Sequence, residues 1–180
     1  MCGKNIQRVK IEIDGKILEQ VSDFTYLGSV FAEHKSDIDL KLQKYNKMNG
    51  VIRRHFGKQM RTDTKLRLHN ITSKAALKYG SEIWILNKRN THKLEVGQMR
   101  FLRSLLGITR LDHQRNIIIR EKLKVPSLNE EIERYQQEWK NHMTRMERNR
   151  LPKLAFKYQP TGHRDQGRPK HRWKDQDHLH

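Results

Sequence analysis

Phe24-Thr25-Tyr26-Leu27-Gly28 stands where a short, strand-patterned beginning hands over to a long, basic, helix-patterned remainder. Phe24, Tyr26 and Leu27 favour extended backbone, and Gly28 can take angles closed to other residues, so the stretch reads as a buried strand that ends in a turn. Upstream, Arg8 to Ile13 alternates polar and apolar residues, Asp14-Gly15 interrupts, and Lys16 to Val21 resumes the pattern. Asp-Gly between two alternating runs is a strong hairpin signal, because a type I′ turn needs positive φ at both central residues. Ser22-Asp23 then leads into a strand from Phe24 to Phe31. The expectation is a hairpin extended to a small three-stranded antiparallel sheet, which needs cover on its apolar face.

Downstream the apolar period lengthens to that of a helix. Ser36 is placed to cap a helix whose first turn carries Asp37 and Asp39, where the helix dipole favours negative charge. Ile38, Leu42, Tyr45, Asn49, Ile52 and Phe56 recur along one face to about Arg54, with Lys41, Lys44, Lys47 and Arg54 opposite. Thr62 or Asp63 starts the next helix, with Leu68, Ile71, Ala75 and Tyr79 inward and Lys65, Arg67, Lys74 and Lys78 outward. Glu82 to Leu86 is too short an apolar run to assign. Thr91 opens a helix burying Leu94, Gln98, Phe101, Leu102, Leu105 and Leu106, stopped by Gly107 and flanked by Arg100, Arg103 and Arg110. A short helix over 116–123 follows. Pro126 breaks it, and Ser127 with Glu130 then matches a capping box at the head of a helix that buries Leu128, Ile132, Tyr135, Trp139, Met143 and Met146. From Gln159 the pattern is lost.

The fold class expected is therefore α+β, mostly α: a small antiparallel β-portion over 1–35, a helical domain over 36–158 and an extended basic tail over 159–180. With 180 residues the chain supports one ordinary core with appendages. Its net charge of +18 is the dominant compositional fact, since such a field attracts polyanions. Residues 1–36 hold five Lys/Arg against five Asp/Glu, whereas residues 37–150 hold 26 against 12, so the helical part carries the excess. Nucleic acid is the expected partner. No apolar run reaches the length of a membrane span, and Met1 to Asn5 lacks the apolar core of a signal peptide, so no membrane partner is expected. The single cysteine, Cys2, predicts a reducing, intracellular setting, nuclear or cytoplasmic.

Ten histidines invite a metal site, but Cys2 has no second cysteine to pair with, and His163, His171, His178 and His180 lie in the tail, so no metal and no cofactor are expected. No nucleophile elbow and no phosphate-cradling Gly-rich motif is present, and the carboxylate pairs Asp37/Asp39 and Glu130/Glu131 open helices instead of forming a two-metal cage. No catalytic residue is assigned. What remains is binding: Lys41, Lys44, Lys47, Arg54, Lys65, Arg67, Lys74, Lys78, Arg100 and Arg103 on helices, and Arg168, Lys170 and Arg172 in the tail, are the candidate phosphate contacts. Trp173, with Trp84 and the tyrosines, is a candidate for base stacking.

Taken in order, Phe24 to Gly28, Thr64 to Leu68, Tyr79 to Trp84, Leu105 to Ile108, Arg115-Asn116 and Gly167 to Trp173 resemble the C-terminal part of reverse transcriptases of non-LTR retrotransposons, closest to the RTE-like endonuclease-reverse transcriptases. The resemblance spans about the whole chain, from the end of the palm through the thumb. It implies that Phe24, Tyr26, Leu27 and Gly28 correspond to a primer grip and that the helices from Ser36 onward correspond to a thumb closing on template-primer. The family's Tyr/Phe-Ala-Asp-Asp motif, which holds catalytic magnesium, is expected upstream of Met1, together with the fingers, the rest of the palm and the endonuclease. This sequence contains no Asp-Asp, so the resemblance implies a non-catalytic remnant of an RNA-directed DNA polymerase that keeps RNA and DNA binding. Two other readings stay open from the residues: a free-standing helical DNA-binding module, and an interaction protein that docks through its small sheet.

Overall fold

Asp14-Gly15 and Leu27-Gly28 both close hairpins. In the computed structural model, which describes residues 12–19, 21, 23–32, 37–57 and 59–157, φ is 50° and 73° at the first pair and 47° and 79° at the second. Positive φ at both central residues is what a type I′ turn requires. The first turn joins β1 (Glu12–Ile13) to β2 (Lys16–Ile17), with Glu12 opposite Ile17. The second joins β3 (Asp23–Tyr26) to β4 (Ser29–Ala32), with Phe24 opposite Phe31 and Tyr26 opposite Ser29.

This corrects the three-stranded sheet. The strand expected over 24–31 folds back on itself at Leu27-Gly28, and the described strands form two separate two-stranded antiparallel sheets. The stretch is also not buried: Phe24, Tyr26 and Leu27 are 56%, 58% and 69% exposed. Two-stranded ribbons this short have no second layer with which to bury a face.

The chain divides into two compact units, Met1–Leu40 and Lys41–His180. In the first, the backbone N–H of Val30 on β4 donates to Asp37 Oδ1 at 3.0 Å, tying the second hairpin to the first turn of α1 (Asp37–His55). The second unit contains the rest of α1, then α2 (Thr62–His69), which continues through a π-helical turn (Asn70–Lys74) into α3 (Ala75–Lys78). After the short 3₁₀ turn Ser81–Ile83 come α4 (Lys88–Leu106), α5 (Asn116–Leu123), α6 (Leu128–Arg145) and α7 (Leu151–Lys157). The class is α+β and mostly α, as the periodicity indicates.

The helix α4 is central, packing on both α5 and α6. One core joins Ile52, Met99, Phe101, Leu102, Ile119 and Val125, with Leu105, Leu106 and Leu123 against it. Side chains of this size stabilise by about 1.5–3 kcal/mol each when fully buried. Gly97 lets α1 approach, since a Cβ there would lie 2.9 Å from Leu42 Cδ1.

Three local expectations change. Along α2 and α3 the buried stripe is His69, Ser73 and Leu77, while Ile71, Ala75 and Tyr79 are exposed. The polar stripe wins because Tyr45 offers His69 a hydrogen-bond partner inside, at 2.9 Å from its Nε2. At the head of α6 Ser127 makes no side-chain cap. Gln98 of α4 serves there instead, its Oε1 accepting from Leu128 N–H at 3.2 Å and its Nε2 donating to the Pro126 carbonyl at 2.8 Å. Finally, the inward face of α6 is half polar: Glu131, Gln136 and Lys140 are buried, and Tyr135 is exposed.

Candidate nucleic-acid interface

Along α1, Lys47, Gly50, Arg53 and Arg54 fall at steps of about one turn, and Arg100 and Arg103 do the same on α4. Where the two helices pack, these faces meet in a groove. Its first section has a volume of about 530 Å3 and is lined by Lys47, Arg53 and Arg54 from α1 and Arg100, Phe101 and Ser104 from α4. A second section of about 320 Å3 shares Arg53, Arg100 and Ser104 and adds Arg103, Thr109 and Arg110. Among the described residues, six cations thus line one groove, and no aspartate or glutamate lines either section. None of the six forms a salt bridge with a described carboxylate.

The groove's walls are held from behind. Arg103 donates to Asn116 Oδ1 at 2.6 Å, and Asn116 Nδ2 donates to Glu95 Oε1 at 3.0 Å. Arg120 meets the same Glu95 oxygen at 2.6 Å. Partial burial opposes ionisation of Glu95, but the Asn116 and Arg120 hydrogen bonds and the charges of Arg120 and His92 together draw its carboxyl below the usual range. Arg103 is thereby orientated through an amide instead of being neutralised by a carboxylate. Arg110 sits on a turn in which Asp112 Oδ2 accepts from the Thr109 backbone N–H at 2.6 Å and from its hydroxyl at 3.0 Å. Those bonds lower the Asp112 carboxyl.

Phe101, which lines the groove, belongs to a buried aromatic stack. The His69 ring lies on Phe101 with centroids 4.4 Å apart and planes 17° from parallel, and Tyr45 meets its edge. Burial first, helped by the Lys74 charge, pushes the imidazole down to about 4, so the stack stays neutral at ordinary pH. Burial pushes the Tyr45 phenol up.

Of the residues singled out from sequence, Lys47, Arg54, Arg100 and Arg103 come together on the groove. Lys44 and Arg67 are exposed and line neither section. Lys65 donates to the Gly57 carbonyl. Three assignments are corrected. Lys41 is buried, its ammonium donating to the Tyr79 carbonyl at 2.5 Å and lying 5.7 Å and 5.5 Å from the Tyr79 and Trp84 ring centres. Lys74 and Lys78 both turn to Glu131, at 2.9 Å and 3.5 Å, because that carboxylate is buried on α6 and draws cations in to itself. These three lysines hold the fold. Trp84 is likewise interior, at 4% exposure, and offers no face for stacking. Arg168, Lys170, Arg172 and Trp173 lie outside the described residues. In the first unit, Phe24 and Tyr26 present stacked rings with centroids 6.3 Å apart, and Leu27-Gly28 forms the adjoining turn.

Sequence reading missed Arg53 and did not use Arg110. Arg53 was legible as the residue one heptad past Asn46, which also lines the groove, but only the position of α4 shows that this face is the concave one. Among the described residues no group of three or more His, Cys, Asp or Glu is placed to hold a metal ion, and no helix is long and apolar enough to cross a membrane. Comparison of the chain with protein-family models, curated proteins and solved structures finds no match.

Proposed function

We propose that this chain binds nucleic acid through the α1/α4 groove, as a thumb-like part of a non-LTR reverse transcriptase that carries no polymerase chemistry of its own. The single observation behind the binding reading is the groove's charge: among the described residues, six cations and no carboxylate line it. Like charges gathered in one concavity repel, and a bound polyanion reverses that cost while releasing its own counterions. The link to reverse transcriptases rests on the ordered sequence landmarks. It is consistent with the exposed Phe24 and Tyr26 rings, which offer the π faces that a strand end can stack on.

The test is binding of the full chain to labelled oligonucleotides across a salt series. The expected result is a shift at low salt that weakens steeply as salt rises, with no preference for one sequence. Absence of any shift at low salt refutes the reading, and strong preference for one DNA sequence favours a DNA-reading module instead. A primed template with magnesium and nucleotides is expected to give no extension, and clear extension would overturn the non-catalytic assignment.

A further inference from the structure

The groove's dimensions decide what form of nucleic acid it takes. Its first section runs beside α1 from Asn46 to Arg54, about 12 Å at the helical rise. The centres of water-sized spheres fill about 530 Å3 over that length, a mean cross-section of about 44 Å2, so with a radius of about 1.4 Å added on each side the groove is about 10 Å across. A duplex does not fit: its major groove alone is about 12 Å wide, so the rod can only rest on the rim. One sugar-phosphate chain can lie inside, flanked by Lys47, Arg53 and Arg54 on one wall and Arg100, Arg103 and Arg110 on the other. Gly50 leaves the α1 wall open, since a Cβ there would meet nothing within 4 Å. Phe101 is only 3% exposed, so among the described residues the groove offers no aromatic face for bases. The bases of an enclosed strand therefore point outward and are not read.

On these grounds we infer that the α1/α4 groove is a single-strand track, which grips the backbone of unpaired RNA or DNA without sequence preference and discriminates against duplex. This rests on the nucleic-acid reading above, narrows the groove's ligand to an unpaired strand, and leaves a template-primer duplex to surfaces outside the groove.

The experiment measures fluorescence anisotropy of the full chain with a twelve-nucleotide oligo-dT, a twelve-nucleotide oligo-rU and a twelve-base-pair mixed-sequence duplex. Each is titrated at several salt concentrations. Both single strands are expected to bind about ten-fold or more tighter than the duplex, with a logarithmic salt slope near −4 for six phosphate contacts. The double variant Arg53→Gln/Arg100→Gln is expected to lose most of the single-strand advantage and about 1.4 of the slope. Lys44→Gln/Arg67→Gln, which changes exposed cations outside the groove, should leave the ratio within about two-fold, and matching thermal melts establish that both variants are folded. A large dT-over-rU or rU-over-dT difference identifies which strand the track takes and leaves it a single-strand track. Equal or tighter duplex binding overturns the inference, as does a single-strand advantage that survives Arg53→Gln/Arg100→Gln. Failure of all three probes to bind at low salt refutes the nucleic-acid reading itself, a distinct result.

Discussion

Acidification should weaken this fold through one residue, His69, at a pH where its carboxylates are still ionised. The imidazole is fully buried between Tyr45 and Phe101, and its pKa falls from 6.5 to about 4. An unfolded chain binds a proton at this position as pH drops through 6.5, whereas the folded chain does not until about 4. The unfolded state therefore holds more protons in that window, and stability rises with pH across it. The contribution of neutral His69 is intact above pH 6.5 and is lost as pH falls. The loss is about 2 kcal/mol by pH 5 and about 3 kcal/mol once pH is below 4. The assay is urea unfolding of the wild-type chain and of His69→Gln at pH 8 and pH 5. Taking the difference between the two proteins cancels the other histidines and the carboxylates. Wild type should be the more stable at pH 8, with the advantage shrinking by about 2 kcal/mol at pH 5. An advantage of equal size at both pH values would refute the reasoning, because it would mean that His69 titrates alike folded and unfolded.

Lys41→Met should cost about 1–2 kcal/mol of stability by losing the Tyr79 carbonyl and both rings. It should leave oligonucleotide affinity within about two-fold; a large affinity loss with stability unchanged would return Lys41 to the binding surface. Glu131→Gln takes the carboxylate from Lys74 and Lys78, which are half-buried, and should cost about 2 kcal/mol in urea unfolding, with Lys74→Met in the same chain recovering part of it. Gly50→Ala should stabilise by about 0.5–1 kcal/mol, read as a higher melting temperature, because the added methyl meets nothing and the helix loses a flexible residue.

Fold class, the Asp14-Gly15 hairpin, the span of α1 and the glycine stop of α4 were all legible in the sequence, because each depends on period or on a local backbone angle that residue type constrains. Leu27-Gly28 shows the limit of that reading. Gly28 signals a turn, yet the turn also needs positive φ at Leu27, a bulky residue that avoids it, and pairing of β3 with β4 supplies the compensation. Two strands therefore stand where one was expected. The burial of Lys41 and the pairing of Lys74 and Lys78 with Glu131 were not legible for a different reason: a lysine's periodicity says which side of a helix it occupies, and only its neighbours decide whether that side faces water. By itself the sequence determined that this is a mostly helical chain whose helices carry a large positive excess. Tertiary structure alone decided which cations share a concave surface, since Arg53 and Arg100 are far apart in the chain and come together where side chains of α1 lie against Gly97 of α4.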